Sequence, residues 1–366
     1  MPRFELLVGS AAFWNRAKRD IAAARRRVLV QAMTFEGDAA GLGVARVIAA
    51  ATAPDRRVLV DDYSRHVIND TMLALSRDRA VHAEARATLA MFDRLVAQDV
   101  AVRITNPVLG HPLRYPLRNH KKLLVMDDVA WIGGINFSDH NFAWHDLMLR
   151  IDDAAVTEFL VADWERDWAG CPRGSAGSFP GLDLVCLDGE TNAALFAPLL
   201  DLVAGARRSV EMISAYPTMP FVEAMAQAAR GGARVDLFTP AANNKPVIRD
   251  YLCGVAGKAG IALHLTPGMT HAKALLIDGE TLLLGSSNFN FASYRTSSDI
   301  VAVCREAALV ADFRARVLDP LRAGAAAGEP AGRLRWRGLR AKLGLQLADA
   351  AITRLRHGPR VMEWPS

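Results

Sequence analysis

The stretch NHKKLLVMDDVAWIGGINFSDHN, residues 119–141, governs how the rest of the sequence is interpreted. A histidine and a lysine two positions apart precede a run of apolar residues that is typical of a buried strand. Successive side chains of a strand point to opposite faces, so His120 and Lys122 are predicted to face the same way. That face is either a catalytic surface or a solvated edge, and the remainder of the chain helps to decide between them.

The same pattern occurs a second time, in HAKALLIDGETLLLGSSN at residues 271–288. In both copies an Asp follows the His by seven residues, and an Asn follows it by 16 residues in the first copy and by 17 in the second. The matched residues are His120, Lys122, Asp127 and Asn136, and His271, Lys273, Asp278 and Asn288. A histidine on an apolar strand is usually structural, but two copies at matched spacing predict a catalytic site.

The similarity between the two halves extends beyond these motifs. The apolar stretch 24–35 corresponds to 206–217, and each is followed by an Ala-rich helical segment and a further β-rich stretch. This β-α-β order predicts an α/β fold in which helices cover the faces of sheets. The first half is longer, and its surplus maps to a helical insertion at 65–95. The Gly-, Pro- and Ser-rich stretch 171–181 is predicted to join the two lobes.

Composition indicates a folded globular protein. The 366 residues are 51% apolar, and this length suits two domains or one large one. No apolar run approaches the roughly 18 residues of a spanning helix, and the first residues do not resemble a signal peptide. The cysteines form no CxxC pair, which predicts reduced thiols of a cytoplasmic protein and no zinc site or disulfide. They are Cys171, Cys186, Cys253 and Cys304.

The positive charge is concentrated at the end of the sequence. The whole chain carries +5. Residues 331–366 hold eight basic residues against two acidic ones, a net +6, so the preceding 330 residues carry −1. Therefore the basic character does not belong to the part of the chain that contains the two motifs.

A phosphodiester is the substrate that the paired motifs fit. If the halves pack about a pseudo-twofold axis, each offers one His, one Lys and one Asn to a shared seam. The lysines and amides would neutralise and orient the non-bridging oxygens. One histidine would attack phosphorus to give a phosphohistidine, and the other would protonate the leaving alkoxide and then activate the incoming hydroxyl. The sequence shows no evident cluster of metal-binding carboxylates, so no metal or other cofactor is expected.

A nucleophilic histidine needs an acceptor for its second ring nitrogen. Asp146 and Asp299 precede alternating strands at equivalent positions in the two halves, and they are predicted to orient the histidines. Asp127 and Asp278 lie an odd number of residues along the strand from their histidines. Strand alternation would turn them to the opposite face, which favours a structural role.

The paired HxKxxxxD motifs, with their GGIN and GSSN continuations, resemble the phospholipase D superfamily. The resemblance covers most of residues 5–322, including FEGDAAG at 35–41. RNHKKLLVMDD, GGINFSDH and WHDLMLRI are most similar to bacterial cardiolipin synthases and related phospholipid transphosphatidylases. The resemblance implies two lobes with mixed sheets around one shared site. It also implies that both complete motifs, Asp127 and Asp278 included, are catalytic, with His120 as nucleophile and His271 as acid.

Three departures from that subgroup concern the second motif and the N-terminus. Ala292 stands where the subgroup usually has Arg, and Ser297 and Asp299 replace its Asn and Glu. The N-terminal transmembrane hairpin of some members is not expected from these 366 residues. The predicted domains are an N-terminal lobe at 1–178, a C-terminal lobe at 179–328 and a basic tail at 329–366.

The predicted tail has the pattern of a basic amphipathic helix. Its apolar residues recur every three to five positions with arginines between them, as in Trp336, Leu339, Leu343 and Leu347. Such a helix either lies on an anionic membrane surface or packs on the lobes with a charged outer face, and the arginines favour the membrane. The expected location is the cytoplasm, with peripheral association at the inner face of the cell membrane.

Two enzymatic functions fit the motifs. The first is transfer of a phosphatidyl group from a glycerophospholipid to a lipid alcohol or to water. The second is a metal-independent nuclease or nucleic-acid phosphodiesterase, which the near-neutral charge of residues 1–330 disfavours. A non-catalytic membrane scaffold would predict a broken motif, and both motifs are intact.

Overall fold

A computed structural model describes residues 2–328 and 335–364, with only the backbone described at Arg335. The chain forms two compact units. The first lobe comprises residues 1–173 together with 356–366, and the second lobe comprises residues 174–355. Residues 329–334, where the predicted tail begins, lie outside the described residues, as do residues 1 and 365–366.

The first lobe alternates strands and helices along most of its length. Its strands are β1 (Arg3–Val8), β2 (Arg27–Ala32), β3 (Asp55–Asp61), β4 (Val67–Ile68), β5 (Thr71–Met72), β6 (Ala101–Thr105), β7 (Leu123–Met126), β8 (Val129–Gly133), β9 (Leu147–Asp152) and β19 (Val361–Glu363). Its helices are α1 (Ser10–Ala23), α2 (Ala39–Ala49), α3 (Tyr63–His66), α4 (Arg79–Val96), α5 (Asp139–Ala143) and α6 (Ala154–Trp168). Short 3-10 turns cover Leu73–Leu75 and Pro112–Arg114.

The second lobe has a similar succession of elements. Its strands are β10 (Ser175–Phe179), β11 (Leu182–Cys186), β12 (Ser209–Ile213), β13 (Arg234–Pro240), β14 (Ala262–Thr266), β15 (Ala274–Ile277), β16 (Thr281–Gly285), β17 (Ile300–Cys304) and β18 (Ala326–Ala327). Its helices are α7 (Asn192–Ala204), α8 (Phe221–Arg230), α9 (Pro246–Val255), α10 (Phe291–Arg295), α11 (Ala307–Phe313), α12 (Asp319–Gly324) and α13 (Arg335–Ile352), with a 3-10 turn at Gly257–Ala259 and a π-helical turn at Arg314–Leu318.

The second sheet repeats the strand order of the first with one additional edge strand, β10, which confirms the predicted α/β repeat. The first sheet runs β1-β9-β8-β7-β2-β3-β6-β19, and the second runs β10-β11-β17-β16-β15-β12-β13-β14-β18. In each sheet three parallel strands adjoin an antiparallel set, so both sheets are mixed. The motif strands β7 and β15 are buried along their whole length, as expected for central strands covered on both faces.

Both motifs enter their sheets at the same kind of edge. Leu123 of β7 pairs with Gln31 near the end of β2, and Ala274 of β15 pairs with Ile213 at the end of β12. The residues that precede β7 and β15 therefore lie where the carboxyl ends of the parallel strands meet. Ligand sites of α/β sheets form at this edge.

The segment that was predicted as an insertion, 65–95, contains the β4–β5 hairpin and most of α4. Asp78 caps α4 by accepting a hydrogen bond from the backbone of Ala80, and Met91, Phe92 and Leu95 bury one face of the helix. In the second lobe α9 occupies the corresponding place between β13 and β14. The insertion therefore enlarges a connection that contains a helix in both lobes.

The end of the chain is divided between the two compact units. Helix α13 belongs to the second lobe, whereas β19 pairs with β6 of the first sheet. The units divide at Arg173 and Gly174, slightly before the predicted boundary of 178 and 179. Within residues 2–328 and 335–364, every helix is too short or too polar to cross a lipid bilayer.

Candidate active site

In the first lobe, His120 and Lys122 lie at the edge where the parallel strands end. Lys122 is buried, and its Nζ donates a 2.7 Å hydrogen bond to the backbone carbonyl of His120. Lys121, between them, contacts the α6 side of the sheet, where its Nζ lies 2.6 Å from Oδ2 of Asp163. The side chains therefore alternate as the sequence predicts.

In the second lobe, His271 and Lys273 are both buried. The Lys273 Nζ lies 2.7 Å from Nδ1 and 2.8 Å from Nε2 of His271, and it also donates to the carbonyl oxygen of that residue. In both lobes the motif lysine thus contacts its own histidine. The contact in the first lobe is to the backbone carbonyl, whereas in the second lobe a phosphoryl oxygen bound by the ammonium would lie close to the imidazole.

Aromatic and amide groups adjoin His271. The ring of Tyr216, which follows β12, packs edge-to-face on the imidazole with 5.9 Å between centroids. The Tyr216 hydroxyl donates to Oδ1 of Asn244 at 2.6 Å, and the Lys245 ammonium lies 4.3 Å from the centre of the Tyr216 ring. Neither Tyr216 nor Lys245 belongs to the repeated motif. Their positions after β12 and β13, where α/β sites form, were the available signal.

The two motif asparagines differ in their surroundings. Asn136 is buried, its Oδ1 accepts a hydrogen bond from the backbone of Thr34, and its Nδ2 lies 3.4 Å from Oδ1 of Asn141. Oδ1 of Asn288 is buried and has no hydrogen-bond partner among the described residues. An unsatisfied buried amide group indicates a place where a polar ligand or water is expected.

Asp146 and Asp299 are buried where β9 and β17 begin. Oδ1 of Asp146 accepts from the backbone N–H of Leu147 at 2.8 Å, and Oδ1 of Asp299 accepts from the hydroxyl of Ser286 at 2.6 Å. A Cβ on Gly134, the position equivalent to Ser286, would lie 2.3 Å from the Asp146 carboxylate. In the first motif the missing side chain of Gly134 leaves room for the Asp146 carboxylate, whereas in the second motif the Ser286 hydroxyl donates a hydrogen bond to Asp299.

Asp127 and Asp278 lie at the opposite ends of β7 and β15 from the histidines. Both adopt a left-handed turn conformation with φ of 53°. Asp127 accepts hydrogen bonds from the backbone N–H groups of residues 25–27, and Asp278 from those of residues 207–209. Each carboxylate therefore fixes the start of the neighbouring parallel strand, and this is the structural role that strand alternation predicts.

A buried ion pair anchors the loop that leads into the first motif. Arg118 donates to Oδ1 of Asp61, and the backbone of Asn119 donates to Oδ2, both at 2.7 Å. Burial raises the pKa of Asp61 above its ordinary value even though Arg118 opposes that shift. Arg118 therefore holds the loop in place.

The comparisons with known proteins agree with this architecture. At 25% identity the chain resembles cardiolipin synthase A of Pseudomonas entomophila, over 81% of this chain and 64% of that protein. It is also 25% identical to a cardiolipin synthase of Staphylococcus aureus, over 72% of this chain and 56% of that protein. The chain thus aligns with less than two thirds of the length of these relatives.

A solved structure and a family profile complete the comparison. The phosphatidylserine synthase of Haemophilus influenzae superposes with a TM-score of 0.75 at 15% identity, covering 96% of this chain and 95% of that one. This likeness concerns the fold. The family profile described as "Cardiolipin synthase, PLD-like domain" matches residues 17–168 and 199–318, a range that includes both HxKxxxxD motifs. The chain therefore belongs to the cardiolipin synthase-type family of phospholipase D-like proteins.

Proposed function

We propose that the protein transfers phosphatidyl groups from a glycerophospholipid to an alcohol or to water through a phosphohistidine. The observation that carries this proposal is the repeated pair of a histidine and a buried lysine in contact with it, at equivalent edges of two sheets. A non-catalytic fold has no need to bury an ammonium beside a histidine twice. A phosphodiester matches the charge of the lysines and the nucleophilic and acid-base chemistry of the imidazoles.

In the first half of the proposed reaction, His120 is the nucleophile. A ring nitrogen attacks phosphorus, the bond from phosphorus to the leaving oxygen breaks, and His271 donates a proton to that alkoxide. In the second half, His271 takes the proton of the incoming hydroxyl, whose oxygen attacks phosphorus and releases His120. Asp146 and Asp299 are proposed to orient the imidazoles, while the lysines stabilise the charge that develops on the non-bridging oxygens.

A phospholipid substrate is proposed from the relatives. The curated relatives are named as cardiolipin synthases, and the superposed structure is named as a phosphatidylserine synthase. Both reactions pass a phosphatidyl group to an alcohol. The second motif differs from the cardiolipin synthase pattern at Ala292, Ser297 and Asp299, so the acceptor is the part of the reaction that needs a direct measurement.

We also propose that α13 attaches the second lobe to an anionic membrane surface. Ala341, Leu345 and Ile352 are buried on one side of this helix, and a glycine pair, Gly254 and Gly338, lets α13 approach α9 closely. A second apolar stripe lies on roughly the opposite side of the helix at 100° per residue. Its members are Trp336 at 78% exposure, Leu339 at 47%, Leu343 at 52% and Leu347 at 73%.

Packing on the lobe and contact with a membrane are thus compatible for α13. The inner face serves the first role, and the exposed stripe is left for the second. Arg337 and Arg340 are exposed beside the stripe, where basic residues add attraction to anionic headgroups of about 1 kcal/mol each. The proposed location is therefore the inner face of the cell membrane.

The experiment that tests the proposed reaction is mass spectrometry of lipids after incubation of the protein with phosphatidylglycerol vesicles. Cardiolipin with free glycerol is expected if a second lipid is the acceptor, and phosphatidic acid with glycerol if water is the acceptor. The His120→Ala variant should yield neither. Unchanged phosphatidylglycerol with the wild-type protein, together with cleavage of single-stranded DNA, would overturn the proposal in favour of a nuclease.

A further inference from the structure

Three carboxylates converge in the first lobe, apart from the paired motifs. Glu36 and Asp38 lie in the loop that follows β2, and Glu84 lies on α4. One carboxylate oxygen from each residue lies within 4.8 Å of those of the other two. The loop lies close against the helix, since a Cβ on Gly37 would come within 2.3 Å of the backbone of Ala87 and Thr88.

Glu36 is the anomalous member of this cluster. Its side chain is 1% exposed, and Oε2 accepts a 3.1 Å hydrogen bond from the backbone of Asn69. Oε1 is buried and receives no hydrogen bond from an N–H or hydroxyl donor among the described residues, and the carboxyl group of Glu84 lies within hydrogen-bonding reach of the Glu36 carboxyl group. Two buried carboxylates this close repel each other unless a proton or a cation lies between them.

The protein supplies little positive charge to this cluster. Among the described residues, none of the three carboxylates forms an ion pair with Lys or Arg. The nearest basic group is His140, whose Nδ1 lies 3.9 Å from Oε2 of Glu36. Asp70 and Asp139 add further negative charge around His140. A cation from solution is the simplest counter-charge for such a site.

The geometry points to a divalent cation that prefers oxygen ligands. Two oxygens bound to one Ca²⁺ at about 2.4 Å can be at most about 4.8 Å apart, and the three carboxylates meet that limit. We propose that Glu36, Asp38 and Glu84 bind a hard divalent cation, Ca²⁺ or Mg²⁺. Asp38 already accepts backbone hydrogen bonds from Gly41 and Asp139, and a carboxylate has further lone pairs for a metal.

The proposed site is coupled to the candidate phosphate ligand Asn136. The loop is hydrogen-bonded to residues 136–139 at three points: Thr34 N to Oδ1 of Asn136 at 3.2 Å, Glu36 N to the carbonyl of Phe137 at 3.0 Å, and Asp139 N to Oδ2 of Asp38 at 2.5 Å. A cation that joins Glu36 and Asp38 to α4 would fix this loop and, through it, Asn136. The role that we infer is stabilisation of the first lobe, not a part in the chemistry.

Cation binding can be measured without any substrate. The protein, stripped with a chelator and dialysed at neutral pH, is titrated with CaCl₂ or MgCl₂ by calorimetry, and thermal unfolding is followed in parallel. One cation site per chain is expected. Tm should rise by about 5 °C when the free cation concentration is 100 times the dissociation constant. Glu84→Gln should weaken binding at least tenfold. The control Asp99→Asn removes one charge from an exposed turn of the same lobe and should bind as the wild type does.

The two cations distinguish the kind of site. Tighter binding of Ca²⁺ would indicate a flexible set of oxygen ligands, and tighter binding of Mg²⁺ an octahedral one. Absence of heat and of a Tm shift with both cations at millimolar concentration would overturn the proposal. A proton held by Glu36 would then account for the cluster, since burial, with a smaller contribution from Glu84, raises the pKa of Glu36 to about 9.

The variants decide whether a bound cation occupies this cluster. An equal response of Glu84→Gln and wild type would overturn the proposal, because the cation would then bind elsewhere.

Discussion

Lys121 and Asp163 form a buried ion pair in the first lobe, with 2.6 Å between Nζ and Oδ2 and with each side chain 1% exposed. A second carboxylate, that of Asp167, lies 3.0 Å from the same ammonium and also accepts from Gln31 and Asn119. In the second lobe Ala272 occupies the position of Lys121. The first motif is therefore tied to α6 by charges that the second motif does not have.

Removal of the ammonium should destabilise the protein severely. Lys121→Ala leaves the buried Asp167 carboxylate without this ammonium and leaves Asp163 with the longer contact to Arg166, at 3.6 Å, and we expect it to lower the free energy of unfolding by about 3–5 kcal/mol. Urea unfolding followed by circular dichroism measures this. Arg19→Ala, on the exposed face of α1, is the control and should stay within about 0.5 kcal/mol of the wild type. A loss of similar size in both variants would contradict a special role for the buried pair.

The proposed mechanism predicts different behaviour for the two histidine variants. His120→Ala and His271→Ala should each reduce turnover by about 10⁴-fold or more, as expected when a nucleophile or an essential acid is removed. With His271→Ala, the intermediate on His120 should accumulate from a phosphatidyl ester whose leaving group needs no proton, such as the 4-nitrophenyl ester, because the incoming hydroxyl is no longer deprotonated. Intact-protein mass spectrometry after incubation with that ester should then show the added mass of a phosphatidyl group.

The exposed His111 supplies the control for these variants. His111→Ala should turn over lipid at the wild-type rate. Adduct on the His120→Ala variant would show that another residue is the nucleophile. Retention of more than a tenth of the wild-type rate by either motif variant would refute the two-histidine mechanism.

Gly134 should tolerate no side chain. A Cβ there would lie 2.3 Å from Oδ1 of Asp146, so Gly134→Ala must displace the carboxylate. We expect a loss of about 1–3 kcal/mol in stability together with a marked fall in turnover. Gly43→Ala in the middle of α2, where a Cβ meets nothing within 4 Å, should instead stabilise the protein by about 0.5–1 kcal/mol. Wild-type turnover by Gly134→Ala would show that the position of Asp146 is unimportant.

The anchoring aspartates predict a specific acid sensitivity. Burial alone would raise the pKa of Asp127 and of Asp278, but backbone N–H donors more than offset this and hold both pKa values below the ordinary one. A carboxylate with a lowered folded-state pKa contributes stability above its unfolded pKa of about 3.9, and this contribution is lost as the pH falls through the folded value. The double variant Asp127→Asn/Asp278→Asn should be less stable at pH 7 but lose less stability between pH 5 and pH 3.

Urea midpoints at pH 7, 5, 4 and 3 provide this comparison. If the urea midpoints of the double variant and the wild type fall in parallel as the pH is lowered, other groups cause the loss of stability in acid. The control Asp99→Asn, which removes an exposed carboxylate from the first lobe, should follow the wild-type curve at every pH.

Local periodicity and repetition were sufficient to predict the two lobes and the motif residues. Strand alternation placed His120 and Lys122 on one face and separated Asp127 from His120, because the period of two is fixed by backbone geometry. The equivalence of Asp146 and Asp299 followed from their position before matched strands. These inferences use only neighbours in sequence or a comparison of one half of the chain with the other.

Contacts between distant segments could not be predicted in the same way. Glu84 is 48 residues from Glu36, and only the fold brings α4 against the loop after β2. The division of the chain's end between the lobes has a similar cause, since β19 is a three-residue strand whose pairing with β6 has no local signal. Helix α13 carries one buried and one exposed apolar stripe. Apolar spacing alone therefore could not show which of its apolar residues pack on the lobe.

The exposed stripe of α13 predicts how membrane binding can be abolished without unfolding the lobe. Leu343→Glu combined with Leu347→Glu places charge on side chains that are 52% and 73% exposed, so packing should be retained. Cosedimentation with vesicles that contain phosphatidylglycerol should fall at least tenfold, because apolar insertion is lost and anionic lipid repels the new charges. The control Gln346→Glu adds one charge at an exposed position on the flank of the stripe but removes no apolar side chain, so it should bind nearly as the wild type does. Wild-type vesicle binding by the double variant would assign membrane attachment to another surface. The wild type, the double variant and Gln346→Glu should hydrolyse a soluble phosphodiester at the same rate.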